Sequence, residues 1–213
     1  MLWRYLNVLL PLCTAAFLDA ADSSYFNGVF RALEVDMHLG MSQLSTMQLT
    51  GSLAAMIFGP LWAVAADRSV LSTASLLVAS SAGWGLASLG IGLTAFTFPQ
   101  LLAGRFINVV FLCSGMPIAQ AMIATVVPAH LRGQGFALVA VAGSLGVIVA
   151  SQLSTAISEM QLWGMAGWRV GLGVLGVVSL AFSLFVYAVL PPEASKPSPP
   201  AGRPGQGQGQ GQG

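Results

Sequence analysis

The sequence predicts an all-α membrane protein, a bundle of six transmembrane helices followed by a disordered tail. Hydrophobic residues make up 55% of its 213 residues and charged residues only 7%, with a mean hydropathy of +0.79. Soluble domains carry about 25% charged residues. The apolar residues also form six continuous runs, each long enough to cross a hydrocarbon core of about 30 Å as a helix of about 20 residues.

The six runs are rich in Leu, Ala, Val and Gly and lack the short alternating segments of a β-barrel. Small residues such as Gly83 and Gly85 permit close helix approach. Pro60, Pro99 and Pro117 predict kinks or helix ends. We place the six spans at Tyr5–Phe30, Gln43–Ala66, Val70–Leu93, Phe96–Ala124, Gly133–Ile157 and Trp168–Leu190.

The first run is read as a membrane span rather than a cleaved secretory signal. It continues past Asp22 to Phe30, beyond the 7–15 apolar residues of a signal core. The distribution of Lys and Arg between the loops then predicts the orientation. Five basic residues fall on the side of the N-terminus and two on the other, which places both termini in the cytoplasm: Arg4, Arg68, Arg132, Lys196 and Arg203 against Arg31 and Arg169.

The composition changes abruptly at Pro191 to Pro, Ser and Gly and then to a Gly-Gln repeat. Such a segment cannot form a packed core, so residues 191–213 are predicted to be a disordered cytoplasmic tail and residues 1–190 the bundle.

Several functional classes are disfavoured. A net charge of +1 without a basic cluster argues against nucleic-acid binding, and Cys13 and Cys113 have no metal-ligand spacing. An intramembrane serine protease would need a Ser and a His at membrane depth, whereas His38 and His130 fall in predicted loops. We therefore expect neither an enzyme nor a bound metal or cofactor.

Three ionisable residues lie inside the apolar spans: Asp19, Asp22 and Arg105. A charge at membrane depth is costly and suggests a function, with a partner to be named. At 1.5 Å per residue, Arg105 lies about 13 Å from the outer end of its helix, and Asp22 and Asp19 about 12 and 16 Å from theirs. The two carboxylates also share one helix face at i and i+3. The sequence thus predicts one shared site, either a binding and proton-coupling site or a static ion pair that holds two helices together.

The turn after the second span ends in Asp67-Arg68. In the simplest interpretation it is a tight cytoplasmic turn in which Asp67 caps the next helix and Arg68 faces anionic headgroups. The turn also resembles the loop signature of the major facilitator superfamily, roughly G-x-L-A-D-R-x-G-R-R. Ala63 replaces its first Gly, and residues 70–72 replace its later Gly and basic positions. The resemblance implies a gating role for Asp67, Arg68 and the later Arg132.

The fourth span strengthens this resemblance. The superfamily has an arginine in the outer half of its fourth helix and an Arg-Gly pair after the next turn, which Arg105 and Arg132-Gly133 match. The spacing of Arg105, Asn108 and Pro117 is similar to that of the Spinster-like branch. That branch implies proton coupling between a first-helix carboxylate and this arginine. We favour Asp19 as the carboxylate, with Asp22 as its competitor.

The resemblance implies the N-terminal half of a secondary active transporter that moves a small organic solute by alternating access, driven by protons. Spinster-like relatives suggest lipids or amphipathic anions as solutes, and symport and antiport both remain open. Polar residues within the spans are candidates to line the cavity or to bridge helices: Asn27, Gln48, Asn108 and Gln120.

A second bundle is absent, and the tail begins where the loop between the two halves of the superfamily fold starts. We therefore expect either a truncated product or a half that pairs with a second six-helix half or with its own copy in the lipid bilayer, and little transport by this chain alone. The alternative function is a non-transporting assembly partner or regulator derived from such a transporter.

Overall fold

The computed structural model describes residues 5–67 and 72–190. Within them the chain forms eight helices and one two-stranded hairpin. The helices are α1 (Leu6–Gly28), α2 (Phe30–Asp36), α3 (Met41–Asp67), α4 (Thr73–Thr94), α5 (Phe98–Leu112), α6 (Gly115–Val126), α7 (Ala129–Ile157) and α8 (Gly167–Val189). The strands β1 (Gln161–Leu162) and β2 (Met165–Ala166) are antiparallel, with Gln161 opposite Ala166.

The predicted six-span architecture is confirmed. The described residues contain six helical segments long and apolar enough to cross a membrane, with α5 and α6 together forming the fourth. The helix ends differ from the predicted ones by a few residues, which is expected because local patterns define helix ends poorly. Residues 68–71 of the turn after α3, which include Arg68, lie outside the described residues. The predicted tail, residues 191–213, also lies outside them.

The fourth span is interrupted at Cys113 and Ser114, between α5 and α6. Pro117 explains the break, because a proline removes the hydrogen bond to the carbonyl four residues earlier, here that of Cys113, and its ring clashes with that carbonyl. Pro99 lies in the first turn of α5. Pro60, in contrast, lies inside the continuous helix α3.

The turn after α3 differs from the sequence prediction. Asp67 is the last residue of α3, whereas the cap of α4 is Ser72, whose hydroxyl accepts a hydrogen bond of 3.1 Å from the Ser75 N–H. Asp67 therefore does not cap α4, because Ser72 occupies the N-cap position directly before that helix. His130 also lies in the first turn of α7 rather than in a loop.

The helices pack chiefly as two pairs, the parallel helices α1 and α7 and the antiparallel helices α4 and α8, and α5 packs against α4. Glycines allow the second pair to approach closely. A Cβ atom added to Gly176 of α8 would lie only 2.7 Å from the carbonyl oxygen of Gly85 in α4, so any larger residue would push the helices apart.

We call the end of the bundle formed by α2, the hairpin and the start of α5 the hairpin side. The buried residues form two groups. One of them, which includes Trp84 and Leu12, forms the core nearer the end opposite the hairpin side. Phe26, Leu33 and Trp168 belong to the core of the hairpin side. The ionisable residues of the spans lie between these two groups.

Candidate functional site

Asp22 is fully buried in a polar cluster built by three helices. Ser88 of α4 donates a hydrogen bond to Asp22 Oδ2. Asn108 of α5 donates from Nδ2 to Asp22 Oδ1 at 3.3 Å and to Ser88 Oγ at 2.9 Å. A buried carboxylate needs such partners, because burying it unpaired would be very costly. We call Asp22, Ser88, Asn108 and Arg105 the buried cluster.

Arg105 completes the cluster from the same helix face as Asn108, three residues away. Its Nη1 donates to Asn108 Oδ1 at 2.6 Å and lies 3.8 Å from Asp22 Oδ1, within ion-pair distance. Its guanidinium carbon lies 4.2 Å from the centre of the Phe26 ring, close enough for a cation–π interaction. Arg105 is thus held by an amide, a carboxylate and an aromatic face.

The favoured pairing of Arg105 with Asp19 is not the one observed. Among the described residues, the ion pair of Arg105 within 4 Å is with Asp22. The physical reason is Asn108, which holds both the guanidinium and Asp22, so that the guanidinium is placed beside Asp22 rather than one turn earlier on α1. Asp19 lies on the same helix but is only half-buried.

Asp19 lines an open cavity of about 270 Å3, which we call the central cavity. Arg105 lines it as well, so this residue faces both the buried cluster and open space. The remaining walls combine polar and apolar side chains: Ser23, Gln48, Gly51, Ser52, Ala55, Val109, Leu112, Cys113 and Met116.

The predicted cavity residues divide into three groups. Gln48 lines the central cavity. Asn108 lies in the buried cluster instead and is only 1% exposed. Asn27 and Gln120 are exposed, and neither is among the described residues that line the central cavity.

The predicted gating residues are not brought together within the described part of the chain. Asp67 is exposed at the end of α3. Arg132 reaches back from α7 to the end of α6, donating from Nε to the Val127 carbonyl at 3.0 Å and from Nη2 to the Ala124 carbonyl at 2.6 Å. A cation that binds the last carbonyls of a helix stabilises its C-terminus. Arg132 therefore stabilises the α6–α7 turn.

Ser88, Ser23 and Ser52 were not predicted, because serines are common in membrane helices and nothing local in the sequence distinguishes these three. Only the structure distinguishes Ser88. It is one of three fully buried serines of α4, with Ser80 and Ser81, and a buried hydroxyl needs a hydrogen-bond partner. Ser80 and Ser81 bond carbonyls of their own helix, whereas Ser88 bonds a carboxylate of another.

A second polar group lies at the hairpin side, where Asp36 at the end of α2 meets the start of α8. Trp168 Nε1 donates to Asp36 Oδ2 at 3.0 Å, and Arg169 Nε lies 3.7 Å from the same oxygen. This group joins the end of α2 to the start of α8.

Comparison with known families agrees with this architecture. Residues 12–209 match the sequence profile described as Major Facilitator Superfamily. The chain belongs to this superfamily. No curated protein matches the sequence significantly.

Solved structures of the superfamily share the fold. A bacterial homologue of the human lysosomal transporter Spinster, inward-facing and unoccupied, has 19% sequence identity and a TM-score of 0.81 over 92% of this chain. The proton:xylose symporter XylE, bound to 6-bromo-6-deoxy-D-glucose, has 17% identity and a TM-score of 0.74 over 88%. The match covers 45% of each of those proteins, so this superfamily member spans about half of their length.

Proposed function

We propose that this chain is a solute- and proton-binding six-helix unit of a secondary active transporter, in which Asp19 and Arg105 bind the proton and the solute in the central cavity. The observation that carries this proposal is that Asp19 and Arg105 line the same open cavity at the middle of an otherwise apolar bundle. Ionisable residues at that depth mark ion and substrate pathways in membrane proteins.

The contacts of Arg105 support a role in binding an anion. A guanidinium offers five N–H donors. Among the described residues, Arg105 has one hydrogen bond, from Nη1 to Asn108. The other donors are available to a carboxylate or another anionic group that enters the central cavity.

The rest of the cavity wall supports an amphipathic solute. Polar side chains such as Ser23 and Gln48 stand near the charges, while Val109, Leu112 and Met116 supply apolar surface. This mixture of a few placed polar groups and apolar walls is typical of small-molecule sites. We infer a small amphipathic organic anion as the solute class.

Asp19 is the carboxylate we assign to the proton. It borders an open cavity through which it can exchange protons, whereas Asp22 is enclosed by two hydrogen-bonding partners and the guanidinium of Arg105. Arg105 would sense the protonation of Asp19 from the other wall of the cavity. In transporters built from two six-helix repeats, the repeats rock about such a midplane site, so we infer a second six-helix half as the partner.

Calorimetry on the full chain in detergent tests the binding step, with octanoate as an amphipathic anion and D-xylose as a neutral solute. Repeating the titration in buffers of different ionisation enthalpy counts the protons exchanged on binding. We expect octanoate to bind with proton exchange, Asp19→Asn to abolish the exchange, and Arg105→Gln to weaken binding about tenfold or more. Arg31→Gln is the control, because Arg31 is exposed and, within the described part of the chain, its ion pair is with Glu34, which is also exposed.

Proton-driven uptake of octanoate into liposomes, by the chain alone and with any co-purified second half, tests the transport step. Binding and proton exchange that are unchanged in Asp19→Asn would refute the assignment. Absence of octanoate and D-xylose binding in the wild type would favour the non-transporting assembly partner.

A further inference from the structure

Two cavities meet where α4 and α8 emerge at the hairpin side. The first, which we call the outer cavity, has a volume of about 580 Å3, and its polar lining includes Asp36, His38, Gln161 and Arg169. The second, the seam groove, has a volume of about 300 Å3 and runs between α4 and α8. The two share four lining residues, so they form one continuous depression: Gly92, Leu93, Met165 and Arg169.

Arg169 stands at the junction of the two cavities. Its guanidinium carbon lies 4.4 Å from the centre of the Trp168 ring and 4.9 Å from that of Phe96. Its Nε faces Asp36 Oδ2 at 3.7 Å. Two rings and a carboxylate therefore fix the orientation of a side chain that is only 12% exposed.

One nitrogen of this guanidinium, Nη1, is buried and lacks a hydrogen-bond partner among the described residues. A buried charged donor without an acceptor is costly, and such a group calls for a missing partner. The partner that best suits a guanidinium is an oxyanion able to accept two parallel hydrogen bonds, such as a phosphate or a carboxylate.

The seam groove points to the rest of the ligand. Apart from Arg169 its walls are glycine and apolar side chains, and Leu93, Val174 and Val177 are more than half exposed. The wall on α8 extends from Val170 to Val178, about 12 Å at 1.5 Å per residue, along the direction in which acyl chains run. A small polar anion would leave this groove empty.

We propose that the outer cavity and the seam groove together bind one phospholipid, with its phosphodiester on Arg169 and one acyl chain between α4 and α8. The cation is charge-complementary to the phosphate, and it lies at the membrane boundary, where the headgroups are. Asp36 beside it complements an ammonium group, so phosphatidylethanolamine is the probe of choice. This site is separate from the central cavity and does not depend on the transport proposal.

Native mass spectrometry of the purified full chain tests the site by titration with dioleoylphosphatidylethanolamine. We expect one lipid to bind with preference. Gly173→Leu should weaken it about tenfold, because an added Cβ at Gly173 meets nothing within 4 Å and the side chain fills the groove without disturbing the bundle. The matched control is Gly90→Leu on α4, where an added Cβ also meets nothing within 4 Å but which does not line the groove. Arg169→Gln should also weaken binding about tenfold or more.

Two further ligands separate the parts of the lipid. Dioleoylglycerol has the same acyl chains without the phosphate, and glycerophosphoethanolamine has the headgroup without the chains. Both should bind at least about tenfold more weakly than the intact lipid. Equal binding of dioleoylglycerol would overturn the role of Arg169, and equal binding of glycerophosphoethanolamine would identify a small-anion site instead. Equal lipid binding by wild type and Gly173→Leu would overturn the proposal.

Discussion

Asp19 and Asp22 lie one turn apart on the same face of α1, yet their surroundings differ. Asp22 is enclosed by Ser88, Asn108 and Arg105 and has no exposed surface. Asp19 is half-buried, lines the central cavity and has no ion pair within the described residues. The comparison indicates that a carboxylate enclosed by donors holds helices together, whereas one that borders open space can exchange a proton or meet a solute.

The largest effect is expected from removing Arg105. Arg105→Leu leaves Asp22 buried without its cation, and breaking a buried pair in this way costs about 3–5 kcal/mol. Unfolding of the purified chain in detergent by increasing denaturant measures the loss. The control is Arg31→Leu, whose partner Glu34 is exposed and whose loss should cost at most about 1 kcal/mol. Similar losses for the two variants would contradict the structural role of the buried cluster.

Replacing Asp22 or Asp19 with Asn should lower the free energy of unfolding by different amounts. Asp22→Asn is expected to lower the free energy of unfolding by about 2 kcal/mol, because three partners lose a charged acceptor or counter-ion. Asp19→Asn should cost less than about 1 kcal/mol, since it removes no hydrogen bond or ion pair recorded in the described residues. The same unfolding measurement compares them, and equal losses would remove the distinction between the two sites.

A smaller effect is expected for Ser88→Ala, about 1–2 kcal/mol, because Ser88 donates to the carboxylate from a different helix. Ser80→Ala is the matched control. Ser80 is equally buried on α4, but among the described residues its hydrogen bond is to the Leu77 carbonyl of its own helix, at 3.1 Å. If Ser80→Ala is as destabilising as Ser88→Ala, the bond to Asp22 contributes nothing specific.

The smallest perturbation is a chemical label. Cys113 lines the central cavity and Cys13 does not, although both thiols are partly buried. In single-cysteine variants, Cys113 should react with a charged methanethiosulfonate roughly fivefold faster or more, since access limits thiol reactivity. Octanoate should protect only Cys113. Equal rates without protection would mean that the space beside Asp19 is not open to water.

Much of the fold could be predicted because its signals are local. Continuous apolar length determines a membrane span, and the six runs correspond to the six spans observed. Pro117 predicted the break in the fourth span through its missing N–H. Helix α2 and the β1–β2 hairpin were not predicted, because both are short and their stability comes from contacts with α8 and its surroundings rather than from a periodic pattern.

The sequence by itself determined that Asp19, Asp22 and Arg105 share one depth of the membrane, because depth follows from position along a helix of constant rise. Only the tertiary structure decided which carboxylate Arg105 meets. Asp19 and Asp22 share one helix face at positions i and i+3, so no local sequence pattern distinguishes them as partners. Ser88 and Asn108 distinguish them, and they come from helices whose placement beside α1 depends on the packing of the whole bundle.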